Sequence, residues 1–163
     1  MAIIRKGRKY EVNEILNLVN EQVGEPIRTR LDENTVCINS EKLITFKQKG
    51  TCCAECEIKG QFFVKEKHVT KRGGEYFHLN LYAIDENGKE ILMTKDHIIP
   101  RSSGGLDDIS NYQTMCETCN IKKADVINEQ MKRDREKTMD SYLKPKNGNY
   151  ALADALKKVL QKD

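Results

Sequence analysis

The sequence has no tryptophan and no run of apolar residues long enough to cross a bilayer. Its opening stretch, Met1-Ala-Ile-Ile-Arg-Lys-Gly-Arg-Lys9, lacks the hydrophobic segment of a signal peptide. These absences argue against a membrane protein and against Sec-type export, and the expectation is a soluble protein of the cytoplasm. A large excess of either charge is also missing: 28 basic residues face 25 acidic ones, for a formal net charge of +3. That balance permits a polyanionic partner without demanding one. Neither an internal repeat nor a low-complexity segment is visible. Hydrophobic residues make up 38% of the chain and charged ones 33%. The core is therefore expected to be modest and the surface ionic. At 163 residues the chain can hold one ordinary domain, or a small core with helical extensions.

What the chain does have is six cysteines, and in a reducing cytosol these point to metal rather than to disulfides. Cys53-x-x-Cys56 and Cys116-x-x-Cys119 are two pairs with the spacing of a tetrahedral zinc site. Four protein ligands leave no open position for water, so the role of such a zinc would be structural. Cys52 fits the spacing less well, and Cys37 is expected to be a small core residue. His68 and His78 are expected to pack or to contact phosphate rather than to bind metal.

Hydrophobic periodicity gives a coarse order of elements. Basic residues Arg5, Lys6, Arg8 and Lys9 precede a helical pattern at Val12, Ile15, Leu16, Val19 and Val23, which Gly24-Glu-Pro26 ends. A short strand is expected within residues 27–39. Ser40 should cap a helix over residues 41–48 that Gly50 stops. Phe62-Phe-Val64 reads as a strand, and within residues 59–74 Lys59, Lys65, Lys67, Lys71 and Arg72 face a single acid, Glu66, which reads as a basic loop. Residues 76–84 alternate with period two, Asn87-Gly88 signals a hairpin turn, and residues 90–94 return directly into Asp96-His97. Loop residues fill 100–110, and a helix should begin near Glu117, with Ala124, Ile127 and Met131 as its apolar stripe. Glu129, Asp134 and Glu136 alternate there with Lys132, Arg133, Arg135 and Lys137, the pattern of an ion-paired solvent face. Residues 150–160 have the pattern of a final amphipathic helix.

The densest chemistry lies between Thr94 and Lys123, where Asp96-His97 is followed by Asn111 and by Cys116-x-x-Cys119-Asn120. Hydrolysis of a phosphodiester needs a base for water and a means of neutralising charge on the phosphate and the leaving oxygen. An imidazole, with an unperturbed pKa of about 6.5, suits the first task. A magnesium-like ion on hard oxygen ligands suits the second. Asp96 offers a carboxylate and Asn120 an amide oxygen, while Asn111 can fix its loop and orient His97. Neighbours on a strand face opposite sides, so Asp96 and His97 need either a local bend or approach from different directions.

These residues resemble the HNH endonuclease family. The pattern is met at Asp96, His97, Ile98, Pro100, Gly104, Gly105, Asn111, Cys116, Cys119, Asn120 and Lys123. Within the family the chain looks most like small zinc-containing members of bacteriophages and bacteria, and the likeness spans about residues 50–125. Asn120 stands where many members have histidine, a variant that favours magnesium or manganese over a softer ion. The resemblance implies an α+β fold: a ββα-metal finger with a structural zinc on four cysteines, a β-hairpin insertion, and flanking N- and C-terminal helices. The implied division is an N-terminal basic arm and helical region (1–49), a nuclease domain with its zinc site (50–143) and a C-terminal amphipathic helix (144–163). It further implies that His97 is the general base, that Asn111 orients it, and that Asp96 and Asn120 hold a catalytic magnesium or manganese. Cys53, Cys56, Cys116 and Cys119 would hold zinc.

The expected activity is metal-dependent cleavage of DNA in a bacterial or phage-infected cell. Arg101, Lys122, Lys123, Lys71 and Arg72 are the candidate phosphate contacts. No base-reading helix stands out, so the sequence leaves specificity open. It also leaves open a homodimer, an RNA substrate, nicking as against double-strand cleavage, and a non-catalytic zinc-structured DNA-binding or phage–host interaction module.

Overall fold

The computed structural model describes residues 4–69 and 74–143. The chain forms two compact units, residues 1–121 and residues 122–163. Strands and helices are mixed, in the order β1 (Ile4–Glu11), α1 (Val12–Leu18), β2 (Arg28–Leu31), β3 (Asn34–Cys37), α2 (Glu41–Lys49), β4 (Phe62–Val69), β5 (Glu75–Ile84), β6 (Glu90–His97), β7 (Tyr112–Cys116) and α3 (Glu117–Leu143). Among the described residues no helix is long and apolar enough to cross a membrane.

The organising strand is β5. One edge pairs antiparallel with β4, from Phe62↔Tyr82 to Val69↔Glu75, and β4 in turn pairs with β1. Its other neighbours are β3, which meets it in parallel at Val36↔Phe77, and β6, which pairs antiparallel from Tyr82↔Leu92 to Ile84↔Glu90. The β5–β6 hairpin turns where Asn87-Gly88 predicts it. Gly88 takes a positive φ of 77°, and the Asp85 carboxylate accepts the Asn87 and Lys89 N–H groups. Beyond Leu92 the same strand leaves β5 and pairs with β7, from Met93↔Cys116 to His97↔Tyr112. β6 therefore belongs to two ladders, and the candidate site stands at the end of the second.

Phe63, Leu79 and Leu81 pack with Leu43 and Phe46 of α2 and Ile15 of α1. Each contributes about 2 kcal/mol by burial. Met93 and Met115 join the same cluster, so the core runs up to the base of the site. As expected, Ser40 caps α2, its side chain accepting the Leu43 N–H at 3.4 Å. On the opposite face of β4–β5 lies Glu66, only 1% exposed. It accepts hydrogen bonds from Tyr82 Oη and Asn80 Nδ2, both at 2.6 Å, and pairs with Arg5 Nε at 3.4 Å. Lys42 donates to Asn80 Oδ1, and burial lowers its pKa to about 8. A buried carboxylate has to be satisfied in this way, because removing one partner exposes the full desolvation cost.

Three expectations change here. The basic arm is strand β1, in which Arg5 and Lys9 pair with Glu90 and Arg8 with Glu14; neutralisation by these acids lets a basic run lie in a sheet. The first helix stops at Leu18 rather than near Val23. Lys47 Nζ donates to the Val19 carbonyl at 2.8 Å and Asn20 N–H to Ile38 O at 3.1 Å, drawing the chain towards β3. The basic stretch after Lys59 is largely β4: Lys65 is buried against Leu31 O at 3.1 Å, and Lys67 pairs with Glu75. The expected C-terminal helix, residues 144–163, lies outside the described residues.

Candidate functional site

Two turns build the cysteine cluster. Cys53 N–H donates to Ile58 O and Glu57 N–H returns to Cys53 O, while Ala54 N–H donates to Thr114 O and ties this turn to β7. The second pair spans the junction of β7 and α3, where Cys119 N–H donates to Cys116 Sγ at 3.5 Å. The Sγ atoms of Cys53, Cys56, Cys116 and Cys119 all lie within 4.8 Å of one another, and Cys56 and Cys116 are 3.7 Å apart. Sulfurs at about 2.3 Å from a tetrahedral zinc stand about 3.8 Å apart, so the set fits a zinc-sized ion.

The electrostatics agree with that fit. Burial opposes ionisation of Cys53, but backbone N–H groups around it outweigh burial and bring the thiol down to about 7. Burial and neighbouring sulfurs push Cys116 and Cys119 up. One sulfur is ready to ionise and its neighbours resist a second negative charge, an arrangement that a cation relieves. Cys52 is exposed and Cys37 half-buried, its Sγ 3.3 Å from Asn39 Oδ1; neither belongs to the cluster.

Strand β6 alternates to its end. Asp96 pairs with Gln113 in the ladder, and Gln113 Nε2 donates to Asp96 Oδ2 at 2.9 Å. Two residues earlier, on the same side of the strand, Thr94 Oγ1 accepts from Asn120 Nδ2 at 3.1 Å and donates to Met115 O at 2.8 Å. Asn120 thus lies in the first turn of α3, on the Thr94–Asp96 side. His97 stands on the other side, its ring edge-on to Tyr112 with centroids 4.9 Å apart. The two neighbours thus face opposite sides of the strand.

The loop after His97 is fixed by Asn111. Its side chain accepts the Ile99 N–H at 2.9 Å and donates to Ile99 O at 3.0 Å and Leu106 O at 2.9 Å, while its carbonyl accepts the Ile98 N–H at 2.8 Å. Glycine is required twice in this loop. Gly104 has φ of 86°, and a Cβ on Gly105 would come within 1.8 Å of Ile99 O and 2.9 Å of Asn111 Nδ2. The loop closes against its own backbone, with Asn111 as the bolt.

That closure brings in Asp107. His97 Nε2 is 2.7 Å from Asp107 Oδ1. Arg101 Nε reaches the same oxygen at 2.7 Å, and its terminal nitrogen reaches Oδ2 at 2.5 Å. His97, then Arg101, hold the Asp107 carboxyl below the usual carboxylate range. Asp107, Thr94 and Gln113 were not among the residues the sequence picked out. An acidic pair before Asn111 is visible in the sequence, but nothing in it tells which carboxylate turns towards His97. Asp108 instead caps its own turn through Ser110.

Lys122 and Lys123 belong to the second unit, on α3, and Lys71 and Arg72 fall outside the described residues. Further along α3, Ala124 is exposed and Ile127 and Met131 are half-buried. The Arg133–Glu129 pair and the Gln130–Asp134 hydrogen bond match the expected solvent face. His68 and His78 pack with Tyr76 at the far end of β4–β5, and burial lowers the His78 pKa.

Residues 85–136 match the family model of HNH endonucleases, which bears out the resemblance. Comparison with curated proteins and with solved structures gave no match. The matched span holds Asp96, His97, Asn111, Cys116, Cys119 and Asn120; Cys53 and Cys56 come from outside it.

Proposed function

We propose, from the match of residues 85–136 to the HNH endonuclease family, that this protein hydrolyses DNA phosphodiester bonds with one histidine and one divalent ion. The observation that carries the reading is the end of β6. There Asp96 lies on the same side of the strand as Thr94, to which Asn120 donates, and His97 stands on the other. Their chemistry fits a magnesium or manganese ion. Asn120 gives its NH2 group to Thr94, and its amide oxygen together with the Asp96 carboxylate would supply the hard oxygens that such ions complete with water and substrate. When bound, the ion would neutralise charge on the phosphate and the leaving oxygen.

The chain's own residues do the rest. His97 takes a proton from the attacking water, and the resulting hydroxide attacks phosphorus in line with the leaving oxygen. Asn111 keeps the loop, and with it the histidine's surroundings, from shifting. Arg101, mostly exposed, can hold a neighbouring phosphate. The four cysteines would hold zinc and fix the start of α3, from which Asn120 projects. Together β6, β7 and α3 would form a ββα-metal finger.

The test is cleavage of supercoiled plasmid by zinc-loaded protein. Nicked or linear product is expected with magnesium or manganese and none with EDTA. A panel of single- and double-stranded DNA and RNA assigns the substrate. Failure to cut any of them with either ion would overturn the reading and leave a zinc-structured binding module. Elemental analysis should find one zinc per chain, lost in Cys119→Ser.

A further inference from the structure

The proposed reaction rests on one nitrogen of His97 accepting a proton, and neutral imidazole has two forms. Which nitrogen carries hydrogen is set by what the other one meets. Here Nε2 meets Asp107 Oδ1 at 2.7 Å. A carboxylate at neutral pH is an acceptor only, so this contact is a hydrogen bond only when Nε2 carries the hydrogen. Arg101 supports the arrangement from behind, engaging both oxygens of the same carboxylate. The neighbouring Ser110 N–H and Oγ bind Asp108, which spares Asp107 for the histidine. The ring is held from a second direction by Tyr112.

We propose that Asp107 is a positioning residue for His97, holding it as the Nε2–H tautomer and so assigning the water's proton to Nδ1. This rests on the nuclease reading above. The step balances simply: the water O–H bond breaks, its proton bonds to Nδ1, and the hydroxide oxygen forms the new P–O bond as the leaving oxygen departs with its electron pair. The imidazolium then carries hydrogen on both nitrogens, and the Asp107 carboxylate, already in contact with Nε2, stabilises that charge without itself taking the proton. Arg101 keeps Asp107 in place and shares its charge, so it acts on the base only through the carboxylate.

The experiment is 15N NMR of full-length, histidine-labelled protein at a pH where His97 is neutral, with His97→Ala to assign its signals among the three histidines. The expected result is the Nε2–H pattern in the parent and a mixture of tautomers in Asp107→Asn, with Asp107→Glu restoring the parent pattern. Plasmid kinetics should show kcat falling on the order of 10- to 100-fold in Asp107→Asn at nearly constant KM, with partial recovery in Asp107→Glu. A parent in the Nδ1–H form, or an Asp107→Asn protein with an unchanged tautomer, would overturn the assignment. The spectra need no cleavage, so an inactive parent refutes the nuclease while the tautomer still decides the role of Asp107.

Discussion

Glu66 and Asp107 are built to one plan and put to different uses. Each carboxylate gathers an arginine and a ring-bearing side chain: Arg5 and Tyr82 around Glu66, Arg101 and His97 around Asp107. Glu66 is 1% exposed and belongs to the central strands; the Asp107 side chain is 48% exposed and belongs to a loop. In the interior every partner of Glu66 is needed for the fold to tolerate the charge. At the surface water could replace each partner of Asp107, so the arrangement there stabilises little and, on the proposed reading, would serve to orient. Burial separates a carboxylate that holds the sheet together from one that meets a histidine in a surface loop.

The largest expected effect lies on the exposed side. His97→Ala should reduce plasmid cleavage on the order of 10²- to 10⁴-fold while leaving zinc content and the thermal unfolding midpoint as in the parent. Retained cleavage would remove the exposed centre's claim to function. On the buried side, Glu66→Ala should lower unfolding free energy by about 3 kcal/mol in urea titration, since Asn80 and Tyr82 lose their acceptor. Asp107→Ala should leave the urea midpoint where it is. A reversal of these two results would break the comparison outright.

A smaller effect is expected for Arg101→Ala. If that guanidinium holds a phosphate, the slope of log affinity against log salt should fall by about one; an unchanged slope would confine Arg101 to supporting Asp107. The smallest effect concerns Lys42, which reaches the Glu66 network through Asn80. Its folded pKa, about 8, lies below the ordinary lysine value of 10.5. Between these values the unfolded chain binds the extra proton, so stability contributed by this group rises with pH across that window. Parent and Lys42→Met proteins should diverge there in the parent's favour by on the order of 1 kcal/mol, read from unfolding midpoints at pH 8 and pH 10.

Much of this was legible in the sequence because local chemistry decides it. Ser40 and Gly50 bracket α2, Asn87-Gly88 turns β5 into β6, and the two Cys-x-x-Cys pairs meet as their spacing predicts. What local patterns miss is pairing at a distance. Arg5 and Lys9 read as a free basic arm because their partners Glu66 and Glu90 are far along the chain. Lys65 read as part of a basic loop and is instead a buried donor to Leu31 O. Asp107 escaped notice for a related reason: its contact with His97 exists only once Asn111 has folded the intervening loop back on itself.

The double membership of β6 bears on how errors in the chain would be tolerated. A strand with one partner can slide by a residue and recover most of its hydrogen bonds. This strand is gripped by β5 at one end and β7 at the other, so a slide must break both grips together. The penalty for a slide would be chemical as well as structural, because neighbouring residues on the strand face opposite ways. One step would put Asp96 where His97 stands and turn the base towards the proposed metal side. Insertions or deletions in the Asp85–Lys89 turn should therefore be absorbed by the turn itself and never passed along the strand, since the two ladders leave the Asp96–His97 end no slack.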